Sequence, residues 1–383
     1  MGTISNTSSF SFMHVGSIAR YIEPVSINSE VEWVLDYMDS EGIDVVPVEK
    51  NGAVIGLVSK SDLLASVDTA IKKIFHGELE EYVVDARLVD ALDYVDVLVA
   101  EALDENRDSE LSGWFIVEYR KSFAGIISLR EMIRYLNEIN RREMERAREM
   151  QATLLRHRNF ASQHVELSFY NRMAYMIGGD FFSFSELAAD GVMASCFDVM
   201  GKNVSAALAT SALGAVFSMI KRVAARRPEE TVALVNNVLA DILPADVFVA
   251  GIFIFVSPSS GCLIFNCGFP VSYAFVQDGG QVSIKRIKAN LPPLGMDSNL
   301  SVDCAFKLDF QPGMRIFAYS DGISDILDMD GRRFGDERVL ELFKSAYKND
   351  FSSFDSLVDE AVNTWISKGH LADDITMINL MLK

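Results

Sequence analysis

VMASCFDVMGKN, Val192–Asn203, decides how the C-terminal half of the chain is read. An apolar strand runs into an aspartate, Asp198, and a glycine then turns the chain away. The same order returns in MRIFAYSDGISD, Met314–Asp325, where Asp321 follows a strand and precedes a glycine. GGDFFSF, Gly178–Phe184, sets Asp180 behind two glycines, and HLADDITMINLML, His370–Leu382, sets Asp373 and Asp374 just before a last apolar strand. A lone Asp-Gly is usually a plain turn. Acids repeatedly placed where buried-looking strands leave a sheet are different, because unpartnered carboxylates repel and resist desolvation. Hard divalent cations remove that cost, since Mg2+ and Mn2+ prefer oxygen ligands. Two of them about 3.5–4 Å apart can activate a water and neutralise a phosphoryl group.

Around this constellation the chain is globular in composition. It has 383 residues, 49% hydrophobic and 23% charged, enough for roughly two to three domains with real cores. A net charge of −19 argues against nucleic acid or an anionic membrane as the main partner, since both need a cationic face. The longest apolar run, Val247–Val256, is too short to cross a bilayer, and the opening MGTISNTSSF shows no signal-peptide pattern. Cys196, Cys262, Cys267 and Cys304 form no CxxC pair. They read as reduced thiols, so a cytoplasmic protein is expected.

Three regions follow from the pattern. From about Val15 to Leu136, short strands alternate with amphipathic helices, and two stretches match each other: VIGLVSKSDLLASV from Val54 and FAGIISLREMIRYL from Phe123. Each is a strand around a glycine, then a serine and an acid three residues on, Ser59 with Asp62 and Ser128 with Glu131, which predicts helix caps. Val31, Val34, Leu35 and Met38 fall on one helical face, and Asn51-Gly52 predicts a tight hairpin. The second copy carries an acidic insert around Asp104–Glu110.

Leu129–Arg158 has no Gly or Pro and reads as one helix with apolar residues at Leu129, Ile133, Leu136, Ala147, Met150 and Leu154. Intrahelical Glu–Arg pairs would suit a solvated connector. The apolar seam, interrupted at Asn140 and Glu143, favours a short parallel coiled coil and hence a homodimer.

The first region resembles a pair of cystathionine β-synthase (CBS) domains. The resemblance implies an adenine nucleotide in the cleft between repeats, touched by Ser59, Asp62, Ser128 and Glu131; Glu131 departs from the usual Asp. From about Val165 to Lys383 the chain resembles PPM-type metal-dependent Ser/Thr phosphatases of the stage II sporulation protein E branch, on GGDFFSF, FDVMGKNVSAAL, LPPLGM, FAYSDGISD with RRFG, and DDITMINL together. That likeness implies an α+β protein with a four-layer α/β/β/α sandwich as its catalytic domain and two Mn2+ or Mg2+ ions. Asp180 would bind one ion, and Asp198, with the Val199 carbonyl, would bridge both. Asp321 and Asp373 would hold the other. Asp198 is the residue on which catalysis would turn. The substrate would be a phosphoserine or phosphothreonine protein, commonly an anti-anti-sigma factor. Asn203 and Phe269 depart from the family pattern without removing a ligand. The expected domains are a tail at 1–14, the CBS pair at 15–136 (repeats about 15–75 and 76–136), a helical linker at 129–160 and the phosphatase at 161–383.

Other chemistries fit less well. A GGDEF-type cyclase needs a second acid where Phe181 and Phe182 stand. A cysteine phosphatase needs Arg six residues after its Cys, where Cys196 has Lys202 and Cys267 has Tyr273. Five histidines, with only His370 near a motif, leave no His relay. The alternative of another class is a non-catalytic module that binds its phosphoprotein partner, which retention of acid at every ligand position argues against.

Overall fold

The computed structural model describes residues 11–67, 78–104, 113–187, 191–202, 204–220, 227–366 and 371–383. The chain divides into two units, Met1–Glu143 and Met144–Lys383. Most of the acidic insert, Asn203 and His370 lie outside the described residues. Among those described, no helix is long and apolar enough to cross a membrane.

The first unit repeats one series twice. β1 (Val25–Ser26), α1 (Val31–Glu41), β2 (Val45–Lys50), β3 (Ala53–Ser59) and α2 (Lys60–Val67) are followed by β4 (Arg87–Asp90), α3 (Val95–Asp104), β5 (Trp114–Tyr119), β6 (Ser122–Ser128) and α4 (Leu129–Leu154). Each copy forms a three-stranded sheet, β1-β2-β3 or β4-β5-β6, whose first pair is parallel and second antiparallel. Even the register irregularity recurs, between Val48 and Glu49 and between Val117 and Glu118. Both hairpins turn on two residues of positive φ: Asn51-Gly52, as its turn chemistry predicts, and Arg120-Lys121, which carries no such signal.

The copies are interleaved. Val15 and Ala19 are buried with Val89, Val95 and Phe115 of the second copy, while Leu79 is buried with Val34, Val46 and Leu57 of the first. The backbone of Arg20 pairs with Ile126 and that of Val84 with Leu57. Two glycines allow this: a Cβ on Gly56 would stand 2.6 Å from the Val84 carbonyl oxygen, and one on Gly125 2.7 Å from that of Arg20. Leu129, Ile133 and Leu136 pack on the second copy's core, so that part of the apolar seam is spent inside the chain. The helix ends at Leu154 rather than Arg158, because Leu155 buries in the second unit's core and the Arg158 carbonyl accepts from the Phe169 N–H.

The second unit contains β7 (Asn159–Ala161), β8 (Val165–Arg172), β9 (Asp180–Glu186), β10 (Val192–Val199), α5 (Val204–Ile220), α6 (Pro228–Ile242), β11 (Val249–Ser257), β12 (Gly261–Cys267), β13 (Ser272–Asp278), β14 (Gln281–Ile287), β15 (Phe306–Leu308), β16 (Arg315–Tyr319), α7 (Asp321–Ser324), α8 (Gly335–Lys348), α9 (Phe354–Ile366) and β17 (Ile375–Leu382). They form two antiparallel sheets, β15-β12-β11-β10-β9 and β14-β13-β16-β17-β8-β7.

Strand alternation explains the layering. Phe182 in β9 stacks on Phe169 in β8, sheet against sheet, while its neighbour Phe181 meets Phe217 of α5 on the outer face. On the other sheet, Phe317 stacks on Phe343 of α8, and Ile316 and Ala318 join the core between the sheets. With α5 and α6 outside one sheet and α8 and α9 outside the other, the unit is the four-layer α/β/β/α sandwich the motifs imply. All four cysteines are free; Cys196, Cys262 and Cys267 are buried and Cys304 is exposed.

Candidate functional site

Antiparallel pairing brings the motif acids to one end of the sandwich. Asp180 opens β9 and Asp198 lies opposite it near the end of β10. From the other sheet, Asp321 follows the end of β16, with only Ser320 between, and Asp373 precedes β17, which pairs with β16. Each sheet thus contributes two acids, and in each case the two come from adjacent strands.

Asp180 is 3% exposed, and Ser320 Oγ donates to its Oδ2 at 2.9 Å. Burial, and then the charge of Asp198, push the Asp180 carboxyl well above the usual carboxylate range, against the hydrogen bonds it accepts from Thr376 and Ser320. Asp198 is pushed up to about 8, first by burial and then by Asp321 and Asp373. A hydrogen bond with Asp321 raises it further, and Asp321 is itself raised by lost hydration and by Asp373, against the lowering effect of that same bond. Val199 closes β10, with its N–H donating to the Gly179 carbonyl at 3.2 Å.

The two adjacent acids before β17 behave differently. Asp373 is partly exposed and pairs with Lys202 Nζ at 3.2 Å, while the same ammonium donates to the Ala372 carbonyl at 2.6 Å. Asp374 is 5% exposed, and accepts the Ala174 N–H at 2.8 Å and the Gly179 N–H at 2.7 Å. Burial raises its carboxyl and these backbone donors pull it back. Gly322 is required beside it, because any Cβ there would meet the Asp374 carbonyl oxygen.

Among the described residues, no three His, Cys, Asp or Glu side chains converge on one point as a finished cation cage. Their chemistry nevertheless suits hard cations. Asp180, Asp198, Asp321 and Asp373 supply only carboxylate oxygens, and the first three are raised by burial and by their neighbours' charge.

In the first unit, Ser59 Oγ donates to Asp62 at 2.6 Å and accepts the Asp62 N–H at 3.1 Å. The Ser128 N–H and Oγ donate to Glu131 at 2.9 and 2.7 Å, and the Glu131 N–H returns to Ser128 Oγ at 3.2 Å. Both serines therefore cap helices, α2 and α4. They also line one cavity of about 900 Å3, together with Lys60, Trp114 and Arg130. Asp62 and Glu131 are not part of that lining; Glu131 lines a smaller cavity of about 280 Å3 with Arg20 and Arg134.

Three residues near the acid cluster are given no role by the sequence reading: Ser320 and Lys202, which lie inside the motifs FAYSDGISD and FDVMGKNVSAAL, and Gln151, which lies in none. Only strand parity gives any signal for the burial of Asp374, which falls on the same face as Thr376 and Ile378.

The family model described as stage II sporulation protein E (SpoIIE) matches residues 188–383, and that of the CBS domain matches residues 15–69. Among solved structures, the chain is similar to the SiaA-PP2C domain of Pseudomonas aeruginosa, with 17% identity and a TM-score of 0.54, over 65% of this chain and 99% of that one. It is also similar to the PP2C phosphatase domain with a fragment of the regulatory domain of SpoIIE from Bacillus subtilis, with 17% identity and a TM-score of 0.44, over 58% of this chain and 63% of that one. The curated proteins hold no match to the sequence. The likeness to the first of these structures is one of fold, that of the PP2C sandwich.

Proposed function

The chain belongs to the stage II sporulation protein E family, and from that premise we propose that its second unit is a metal-dependent phosphoserine/phosphothreonine protein phosphatase. The observation that supports this most is the strand pairing that brings Asp180, Asp198, Asp321 and Asp373 to one end of the sandwich, where burial and its acidic neighbours raise the Asp198 carboxyl. Asp180, Asp198, Asp321 and Asp373, with the Val199 carbonyl, would hold two Mn2+ or Mg2+ ions. When bound, such ions supply a deprotonated water and neutralise the phosphoryl oxygens. With ions held there, Asp198 would stand as the carboxylate, its proton passing to solvent. Ser320 orients Asp180 through the Oγ–H bond. Asp374 fixes the approach to β9 by holding the Gly179 N–H.

The substrate class proposed is a phosphorylated protein of the anti-anti-sigma kind. For the first unit we propose an adenine nucleotide in the 900 Å3 cavity, whose volume suits such a ligand and whose lining includes Ser59, Ser128 and the cations Lys60 and Arg130. A dimer contact in α4 is proposed for the stretch beyond Leu136, where Met150 is exposed.

Hydrolysis of a phosphoserine protein, measured with Mn2+ and again with excess chelator, tests the reading. Activity should require the metal, and Asp198→Asn should lower it by about a thousandfold or more while the variant still folds. Metal-independent activity, or none with Mn2+ on any phosphoprotein of this class, would leave only a binding module.

A further inference from the structure

Asp180 is reached from the end of α4 through one side chain. Gln151 is 4% exposed. Its Nε2 donates to the Gly178 carbonyl at 2.7 Å and to Thr210 Oγ1 in α5 at 3.0 Å, and its Oε1 accepts the Gly178 N–H at 2.9 Å. Thr210 spends its own proton on the Ala207 carbonyl, so it can only accept from Gln151. One amide therefore grips both backbone groups of Gly178, as a neighbouring strand residue would.

The opposite flank of this segment is held as well. The Asp374 carboxylate lies where a Cβ on Gly178 would be, and it takes the Gly179 N–H at 2.7 Å. Gly178 and Gly179 are thus clamped between Gln151 and Asp374, and Asp180 is the next residue. Anchoring the helix does not require this amide. Leu155 is already buried in the core, and Leu154 packs against α5 where a Cβ on Gly214 would stand 3.0 Å from its Cδ2. A buried amide is costly unless every group is bonded, and here each donor and acceptor bond falls on the Asp180 loop or on α5.

We propose that Gln151 is a positioning residue for Asp180: the last turns of α4 set where this carboxylate stands, and with it the site's affinity for divalent cations, through the backbone of Gly178. The inference rests on the reading of the acid cluster as a cation site. It makes α4 a lever on that site without any residue of α4 touching an ion.

The test is calorimetric titration of the full chain with Mn2+, alongside thermal melting and phosphoprotein hydrolysis. Gln151→Met keeps the volume and removes all three bonds. It should weaken Mn2+ binding by about tenfold or more, the range found for groups that orient ligands, and raise the Mn2+ needed for half-maximal activity. KM for the phosphoprotein should stay within about twofold, because no substrate contact is lost. Val358→Ala, on the buried face of α9, is the control for stability alone. It should lower the melting temperature yet bind Mn2+ as the wild type does. Wild-type Mn2+ affinity in Gln151→Met, or an equal loss in Val358→Ala, overturns the proposal. Should Gln151→Met fail to fold, Thr210→Val removes one bond and should weaken Mn2+ binding by about threefold; unchanged affinity there overturns it equally. A wild-type chain that takes up no Mn2+ sinks the cation-site reading and this inference together, whereas wild-type uptake with unaltered variants sinks the inference alone.

Discussion

In the first unit, Asp62 accepts a hydrogen bond from the Ser59 hydroxyl, and Glu131 accepts from both the N–H and the hydroxyl of Ser128. In the second, Asp198 faces Asp321 and Asp373, and Asp180 faces Asp198. The residue types are the same and the electrostatics are opposite. An acid met by donors is finished: its charge stabilises a helix start. An acid met by other acids is unfinished, and it keeps a proton well above the usual range until something positive replaces it. In the dipeptide Asp373-Asp374 both acids meet donors, but different ones: Asp373 reaches to the Lys202 ammonium near solvent, and Asp374 is buried on two backbone N–H groups.

That dipeptide gives the largest effect by which to break the contrast. Asp373→Asn should cut Mn2+-dependent turnover by about a hundredfold or more, since a ligand charge is lost, and move the melting temperature by no more than about 2 °C. Asp374→Ala should instead strand the Ala174 and Gly179 N–H groups in the interior. The expected cost is on the order of 3 kcal/mol, or a fall of about 6–12 °C for a domain of this size. Melting curves and turnover measured on both variants check it. If Asp373→Asn proves the unstable one and Asp374→Ala the stable one, the roles are exchanged and the comparison fails at its sharpest point.

How far these roles can be read from sequence depends on how local their causes are. Asp180, Asp198, Asp321 and Asp373 stand out in the sequence as a set because each sits between a strand and a glycine or another acid within a few residues; their role as ligands is the proposal above. The layered fold is legible for the same reason, since alternation along β9 and β16 already separates Phe181 from Phe182 and Ile316 from Phe317. Gln151, Ser320 and Asp374 are not legible as positioners. Their partners lie 27, 140 and 195 residues away, and no local pattern says which polar side chain crosses that distance. The Asn51-Gly52 hairpin announces itself, but Arg120-Lys121 takes positive φ only because the paired strands on either side leave two residues to turn. The interleaving of the two repeats is silent as well. Hydrophobic pattern shows that Val15 and Leu79 are buried, not that each is buried in the other copy's core.

A smaller effect sharpens the same contrast through pH. Without metal, Asp198 titrates near 8 in the folded chain and near the ordinary 3.8 when unfolded. Below about pH 4 both states hold the proton and the group has no effect on stability. As pH rises from there, the unfolded chain releases the proton and the folded chain keeps it, so stability falls and levels off above about pH 8. The loss should be on the order of 2 kcal/mol, because neighbouring acids share the proton burden. Urea unfolding in chelator at pH 5 and pH 8 measures it. Asp198→Asn should be the more stable protein at pH 8 and should flatten the slope. A metal-free wild type that gains stability relative to Asp198→Asn over this interval would show that the acids are already satisfied.

The smallest effect belongs to the first unit, where the acids are satisfied. Ser59→Ala removes an acceptor from the Asp62 N–H and a donor from its carboxylate, and should cost about 1 kcal/mol. Ser128→Ala should cost less, because Glu131 is one methylene longer and still reaches the Ser128 N–H. Melting of the two variants gives that order directly. The same pair separates a cap from a ligand contact. If the Ser59 hydroxyl turns to an adenine nucleotide in the cavity, ATP or AMP should raise the melting temperature of the wild type by several degrees more than that of Ser59→Ala. An equal shift in both proteins means the hydroxyl never leaves Asp62, and the serine that marks the repeat in sequence is there to start a helix.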